Sequence, residues 1–225
     1  LIINSPSNPT GAAYSKSELS AIGDVLKDSN ILVLSDEVYE KVIYGNFKFS
    51  SFVEANPTLQ NQTITINAFS KAYSMTGWRV GYAVANEEII SAMNKLQSQT
   101  TSNVCSIAQY AALGALNGPQ DFFEDMNKAF YSRMQKAVGL IEDTKKLTIA
   151  SMPEGAFYLF VRLEKLIAQD TRFKGSTDFC DFILQNAGVA AVPGVEFGDD
   201  KAFRISVATS EEVLLKGLTR IGEVI

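Results

Sequence analysis

Two kinds of apolar run alternate along this chain. Short blocks without polar alternation at residues 1–4, 31–34, 63–66 and 80–84 are rich in Ile, Leu, Val and Thr, the pattern of strands buried on both faces. Between the first two, Ser15-Lys16-Ser17-Glu18 is a capping box. It opens a predicted helix that runs to about Lys27, with Leu19, Ile22, Val25 and Leu26 facing inward. Strands alternating with helices predict an α/β fold, a mostly parallel sheet with helices on both faces.

Helical spacing returns over residues 87–116, interrupted near Ser102-Asn103, and Gly118-Pro119 punctuates its end. The stretch from Gln120 to about Lys146 contains no proline and repeats apolar residues at Phe122, Phe123, Met126, Phe130, Met134, Val138 and Ile141. It predicts one long helix of up to about 40 Å. The character then changes. A hairpin is predicted from residues 147–152 and 156–163 around Pro153-Glu154-Gly155, then a helix over 176–187, strands at 189–192 and 203–207, and a terminal helix from Glu211. The expected organisation is therefore a large α/β domain over residues 1–118, an inter-domain helix at 119–146 and a smaller α+β domain at 147–225.

Composition narrows the chemistry. With 46% hydrophobic and 20% charged residues and a net charge of −5, the chain matches a globular protein with no nucleic-acid partner. No apolar run reaches the length of a membrane span, so no membrane partner is expected. Two cysteines, Cys105 and Cys180, lack metal spacing and are read as buried thiols of a cytoplasmic protein. Histidine is absent, which removes serine and cysteine triads, histidine relays and most zinc sites; no metal is expected. Proton transfer falls to lysine, a carboxylate or tyrosine. Residues 1–4 look like the middle of a buried strand, so the chain is expected to be the later part of a longer protein.

Candidate chemistry gathers where open parallel sheets bind ligands, at the carboxyl ends of strands. Asn8 follows the first strand, Asp36 and Tyr39 follow the second, Lys71 follows the third, and Arg79 precedes the fourth. A lysine amine condenses with a carbonyl to form a Schiff base, and an arginine fork holds a phosphate by paired hydrogen bonds. A lysine and an arginine eight residues apart suit a phosphorylated aldehyde. Taken singly, each group has an ordinary reading as a solvated lysine, a turn aspartate or a core tyrosine; together they carry more.

The motifs Asn-x-Pro-x-Asn-Pro-Thr-Gly at residues 4–11, Ser-Asp-Glu-x-Tyr at 35–39 and Ser-Lys-x-x-x-x-x-Gly-x-Arg-x-Gly at 70–81 are followed by three more. These are Pro-x-Gly-x-Phe-Tyr at 153–158, Pro-Gly-x-x-Phe-Gly at 193–198 and Phe-Arg-Ile-Ser at 203–206. Their order over nearly the whole chain resembles the fold-type I pyridoxal-phosphate enzymes, specifically the class I/II aminotransferases. Residues 75–79 and 98–103 look most like the bacterial aspartate-type branch. The resemblance implies pyridoxal 5'-phosphate as cofactor and amino acids and 2-oxo acids, first aspartate and 2-oxoglutarate, as substrates. It also implies a homodimer. Lys71 would form the Schiff base and shuttle the substrate's Cα proton. Asp36 would keep the cofactor's pyridine nitrogen protonated. Tyr39 and Asn8 would bond its phenolic oxygen, Arg79 would pair with its phosphate, and Arg204 would clamp the substrate carboxylate. Trp78 is expected in the core. Ala68 stands where relatives often place a phosphate-binding serine. The family's glycine-containing phosphate loop and its ring-stacking aromatic are expected in a portion preceding residue 1, and the fragment alone is expected to have little activity. Two rivals share the motifs: a carbon–sulfur lyase or cyclising synthase with the same cofactor, and a non-catalytic effector-binding domain.

Overall fold

The computed structural model describes residues 1–225. The chain divides into two compact units, Leu1–Ser7 with Ala13–Phe123, and Asn8–Ala12 with Glu124–Ile225.

The first unit holds β1 (Ile2–Asn4), α1 (Lys16–Leu26), β2 (Val33–Asp36), α2 (Phe52–Ala55), β3 (Thr63–Ala68), α3 (Phe69–Ala72), β4 (Gly81–Val84), α4 (Glu87–Thr100) and α5 (Ser106–Asn117). Its sheet has the order β1-β2-β3-β4. The first three strands run parallel and β4 runs antiparallel to β3. The predicted capping box forms: the Ser15 hydroxyl accepts from the Glu18 amide and the Glu18 side chain accepts from the Ser15 amide. One sheet face packs Ile3 and Val33 against Leu19 and Leu26 of α1 and against Phe52 and Leu59. On the other face Ile2 is 74% exposed, and Leu34, Ile64 and Ile66 are half-buried. A second cluster seats Phe69 and Val80 against Ala108 and Ala112 of α5.

The second unit contains α6 (Phe122–Asp143, whose first two residues belong to the first unit), β5 (Thr148–Ile149), β6 (Tyr158–Arg162), α7 (Glu164–Gln169), α8 (Ser176–Ala187), β7 (Val192–Pro193), β8 (Ala202–Ser206) and α9 (Glu211–Val224). Its strands are antiparallel in the order β5-β6-β8-β7. Gly188 ends α8 in the left-handed conformation that favours glycine at this position.

Three expectations about side-chain placement change. Val25 lies on the outer side of α1 and is 81% exposed, while Gly23 is buried instead. Trp78 is 47% exposed and is not a core residue. Cys105 is exposed, whereas Cys180 is buried and its thiol is pushed up to about 12 by burial. A disulfide-exchange reagent at neutral pH should therefore modify one thiol per native chain, at Cys105, and the second only on unfolding. Two thiols reacting at equal rates in the native protein would contradict this packing.

No helix is long and apolar enough to cross a membrane. No cluster of three or more histidine, cysteine or acidic residues is arranged to hold a metal ion.

Candidate active site

In the first unit, strand direction decides what meets. The pairs Asn4 with Asp36 and Asp36 with Ile66 put the carboxyl ends of β1, β2 and β3 along one edge. Because β4 is antiparallel, the pairing of Ala68 with Gly81 puts its beginning at that same edge. Arg79, two residues before β4, and Lys71, three residues after β3, therefore flank one strand pair, and the Phe69 amide closes it by donating to the Val80 carbonyl at 3.2 Å. A residue preceding a strand shares an edge with residues following strands only because the last strand reverses.

The turn between Lys71 and Arg79 is tight. Ser74 and Arg79 adopt left-handed backbone conformations, φ 54° and 51°, which cost non-glycine residues energy and concentrate at functional sites. Lys71 is half-buried on α3, and neither it nor Arg79 enters any of the ion pairs in the chain. Arg79 is exposed and donates from Nη1 to the Thr76 carbonyl at 3.0 Å. It borders a cavity of about 560 Å³ also lined by Trp78, Thr101, Ser102, Asn103 and Cys105.

Asp36 ends β2, half-buried, with Oδ1 accepting from the Val38 amide at 3.3 Å. This is the ordinary turn role of aspartate, and it leaves the second carboxylate oxygen for another partner. Tyr39 is 3% exposed. Between them stands a residue that the sequence argument passed over. Glu37 is 5% exposed. One of its oxygens, Oε1, accepts from Ser35 Oγ at 2.9 Å, Ser51 Oγ at 2.8 Å and the Phe52 amide at 3.1 Å. Burial pushes this carboxyl above the usual range, opposed by those donors, and the nearby Glu40 charge adds to the rise. The only sequence signal was an acidic residue one step out of phase with Asp36, which places it on the opposite side of the strand.

The second unit assembles the other two predicted residues. Arg204 lies on β8 between β6 and β7, paired with Phe160 and Val192, so it is not an edge-strand surface group. Its Nη1 donates to Asn8 Oδ1 at 2.6 Å, across 196 positions of sequence. The guanidinium carbon sits 4.4 Å from the centre of the Tyr158 ring and 5.1 Å from that of Phe197. Aromatic faces on a guanidinium restrict its plane and still leave its edge free for a carboxylate.

Two glycines make this possible. Gly11 has φ +71°, and a Cβ there would fall 2.5 Å from Pro153 Cβ and 2.9 Å from the Gly155 carbonyl oxygen. The amides of Glu154 and Gly155 both donate to the Gly11 carbonyl at 2.9 Å, joining the segment that carries Asn8 to the Pro-Glu-Gly turn. At Gly194 a Cβ would lie 2.3 Å from the carbonyl oxygens of both Ala202 and Asp199. Neither backbone oxygen can yield cheaply, so Gly194→Ala is expected to destabilise the protein by about 2 kcal/mol or more. A thermal melt unchanged within error would show that the Phe197 turn is looser than this contact implies.

The first unit thus sets an amine, a carboxylate and a guanidinium along one edge of a mostly parallel sheet, and the second holds a guanidinium by an amide and two rings, in a chain of α/β class. Residues 1–221 match the family model for aminotransferase class I and II. The chain belongs to the aminotransferase class I and II family, whose aspartate aminotransferases use pyridoxal 5'-phosphate. It is 45% identical to a probable aspartate/prephenate aminotransferase of Rickettsia conorii, covering 100% of this chain and 57% of that protein. It is 44% identical to an aspartate aminotransferase of Bacillus subtilis, covering 98% of this chain and 56% of that one. The crystal structure of the aspartate aminotransferase from Rhizobium meliloti superposes with a TM-score of 0.93 at 42% identity, over 99% of this chain and 57% of that one. The chain thus spans little more than half the length of the relatives it matches.

Proposed function

We propose that this chain supplies the lysine-bearing and carboxylate-gripping parts of a pyridoxal 5'-phosphate-dependent aminotransferase. In this reading the protein is a cytoplasmic homodimer that moves an amino group between an amino acid and a 2-oxo acid, with aspartate and 2-oxoglutarate as the pair. The observation that carries it is the grouping of Lys71, Asp36 and Arg79 on one sheet edge, with Tyr39 three residues beyond Asp36.

The donor set fits the cofactor. A lysine amine outside any ion pair suits its aldehyde, a carboxylate suits its ring nitrogen, and an exposed guanidinium suits its phosphate. When bound, pyridoxal 5'-phosphate supplies an electron sink for charge developing at the substrate Cα. Lys71 Nζ takes the proton from Cα and returns it. Asp36 would hold a proton at the ring nitrogen, Tyr39 would bond the phenolic oxygen, and Arg79 would take the phosphate. Arg204, fixed by Asn8, Tyr158 and Phe197, receives the α-carboxylate through two parallel hydrogen bonds. The aminotransferase names of the relatives support transamination over a lyase, a synthase or an effector-binding domain.

Borohydride reduction of the cofactor-loaded full-length protein, followed by peptide mapping, is expected to leave the pyridoxyl group on Lys71 alone. Label on another lysine would refute the assignment.

A further inference from the structure

We propose that Glu37 is a positioning residue for Asp36 and Tyr39, acting through the single carboxylate oxygen that gathers three donors. This rests on the cofactor reading above. Asp36, Glu37 and Tyr39 belong to one turn: the Glu37 amide donates to the Ile66 carbonyl at 2.9 Å, and the Glu40 amide returns to the Glu37 carbonyl at 2.9 Å. The turn's backbone is thus tied to β3 at one point, while its side-chain anchor is Glu37 Oε1. That oxygen draws in Ser35 from the strand itself, and Ser51 and the Phe52 amide from the start of α2. Phe52 is 1% exposed and part of the hydrophobic core, so the anchor point is rigid. Successive side chains on a strand alternate faces, so a tether on Glu37 from one face fixes the direction of Asp36 on the other. Tyr39, two residues beyond Glu37, inherits the same constraint.

A buried carboxylate that only filled space would not need three donors on one oxygen, and burying it carries a desolvation cost that an apolar residue would avoid. Fixing an aspartate and a tyrosine to within a fraction of an ångström is a use for which that cost is repaid.

The test measures cofactor affinity, not turnover. The full-length protein is stripped of cofactor and titrated with pyridoxal 5'-phosphate, and the thermal midpoint of each cofactor-free variant is recorded in parallel. Glu37→Gln keeps an oxygen that accepts the same donors and is expected to bind within about threefold of the parent. Glu37→Ala is expected to weaken binding by about tenfold or more. Much of that loss should disappear in a Tyr39→Phe background, because residues acting through one another are not additive. If Glu37→Ala does not fold, Ser51→Ala, which removes one donor, should give a smaller loss of affinity in the same direction. The proposal is overturned if these variants lower the thermal midpoint while affinity stays unchanged, if the losses add independently with Tyr39→Phe, or if Glu37→Gln is as damaging as Glu37→Ala. Failure of the parent protein to bind pyridoxal 5'-phosphate at all would instead refute the cofactor reading.

Discussion

Replacing Lys71 by alanine should abolish transamination almost completely, lowering kcat by about 10⁴-fold or more. The physical ground is the lack of a substitute. Of the other candidate bases near this edge, Tyr39 is buried and Glu37 Oε1 is taken up by three donors, so neither replaces the Lys71 amine at the substrate Cα. Asp36 has Oδ1 on the Val38 amide, and the Arg79 guanidinium offers donors only, with no acceptor for a proton. The variant should still bind cofactor, because Asp36, Tyr39 and Arg79 remain, but its absorption should be that of the free aldehyde. Pre-steady-state mixing with amino acid would read the lost proton transfer directly. Retention of more than a few per cent of the parent rate would place the base elsewhere.

Arg204→Ala should lower kcat/KM by about 10²-fold or more for every amino-acid and 2-oxo-acid substrate. The uniformity matters more than the size. All substrates share the α-carboxylate, so losing its partner penalises them alike, whereas a side-chain pocket residue would penalise one class. Arg204→Lys should recover only part of the loss, since an ammonium keeps the charge but not the planar fork that Tyr158 and Phe197 hold in register. A loss confined to acidic substrates would mean that Arg204 reads the side chain and not the α-carboxylate.

Elements with strong local signals were legible in the letters. The helix over Ser176–Ala187 has the predicted bounds, and the break near Ser102-Asn103 separates α4 from α5. The strand expected at residues 189–192 shrinks to Val192–Pro193, and α2 and α7, of four and six residues, had no period long enough to detect. Whereas Arg204 falls in the middle of β8, the candidate residues of the first unit were legible as motifs beside strand ends. Glu37 was not, because a buried acid has no pattern of its own until its donors are known. Nor do the letters at residues 8–12 say that this segment packs with residues 124–225. Gly11 reveals it only once its neighbours Pro153 and Gly155 are seen.

By itself the sequence determined the α/β class and the capping box, and it supplied the motifs that carry the candidate residues, because these follow from residue type and short-range spacing. Only tertiary structure decided that β4 reverses to bring Arg79 to the edge of Lys71, that Asn8 reaches Arg204, and that Tyr158 and Phe197 flank it. Those facts depend on strand direction and on contacts between residues far apart in the chain, which packing selects and no local pattern encodes.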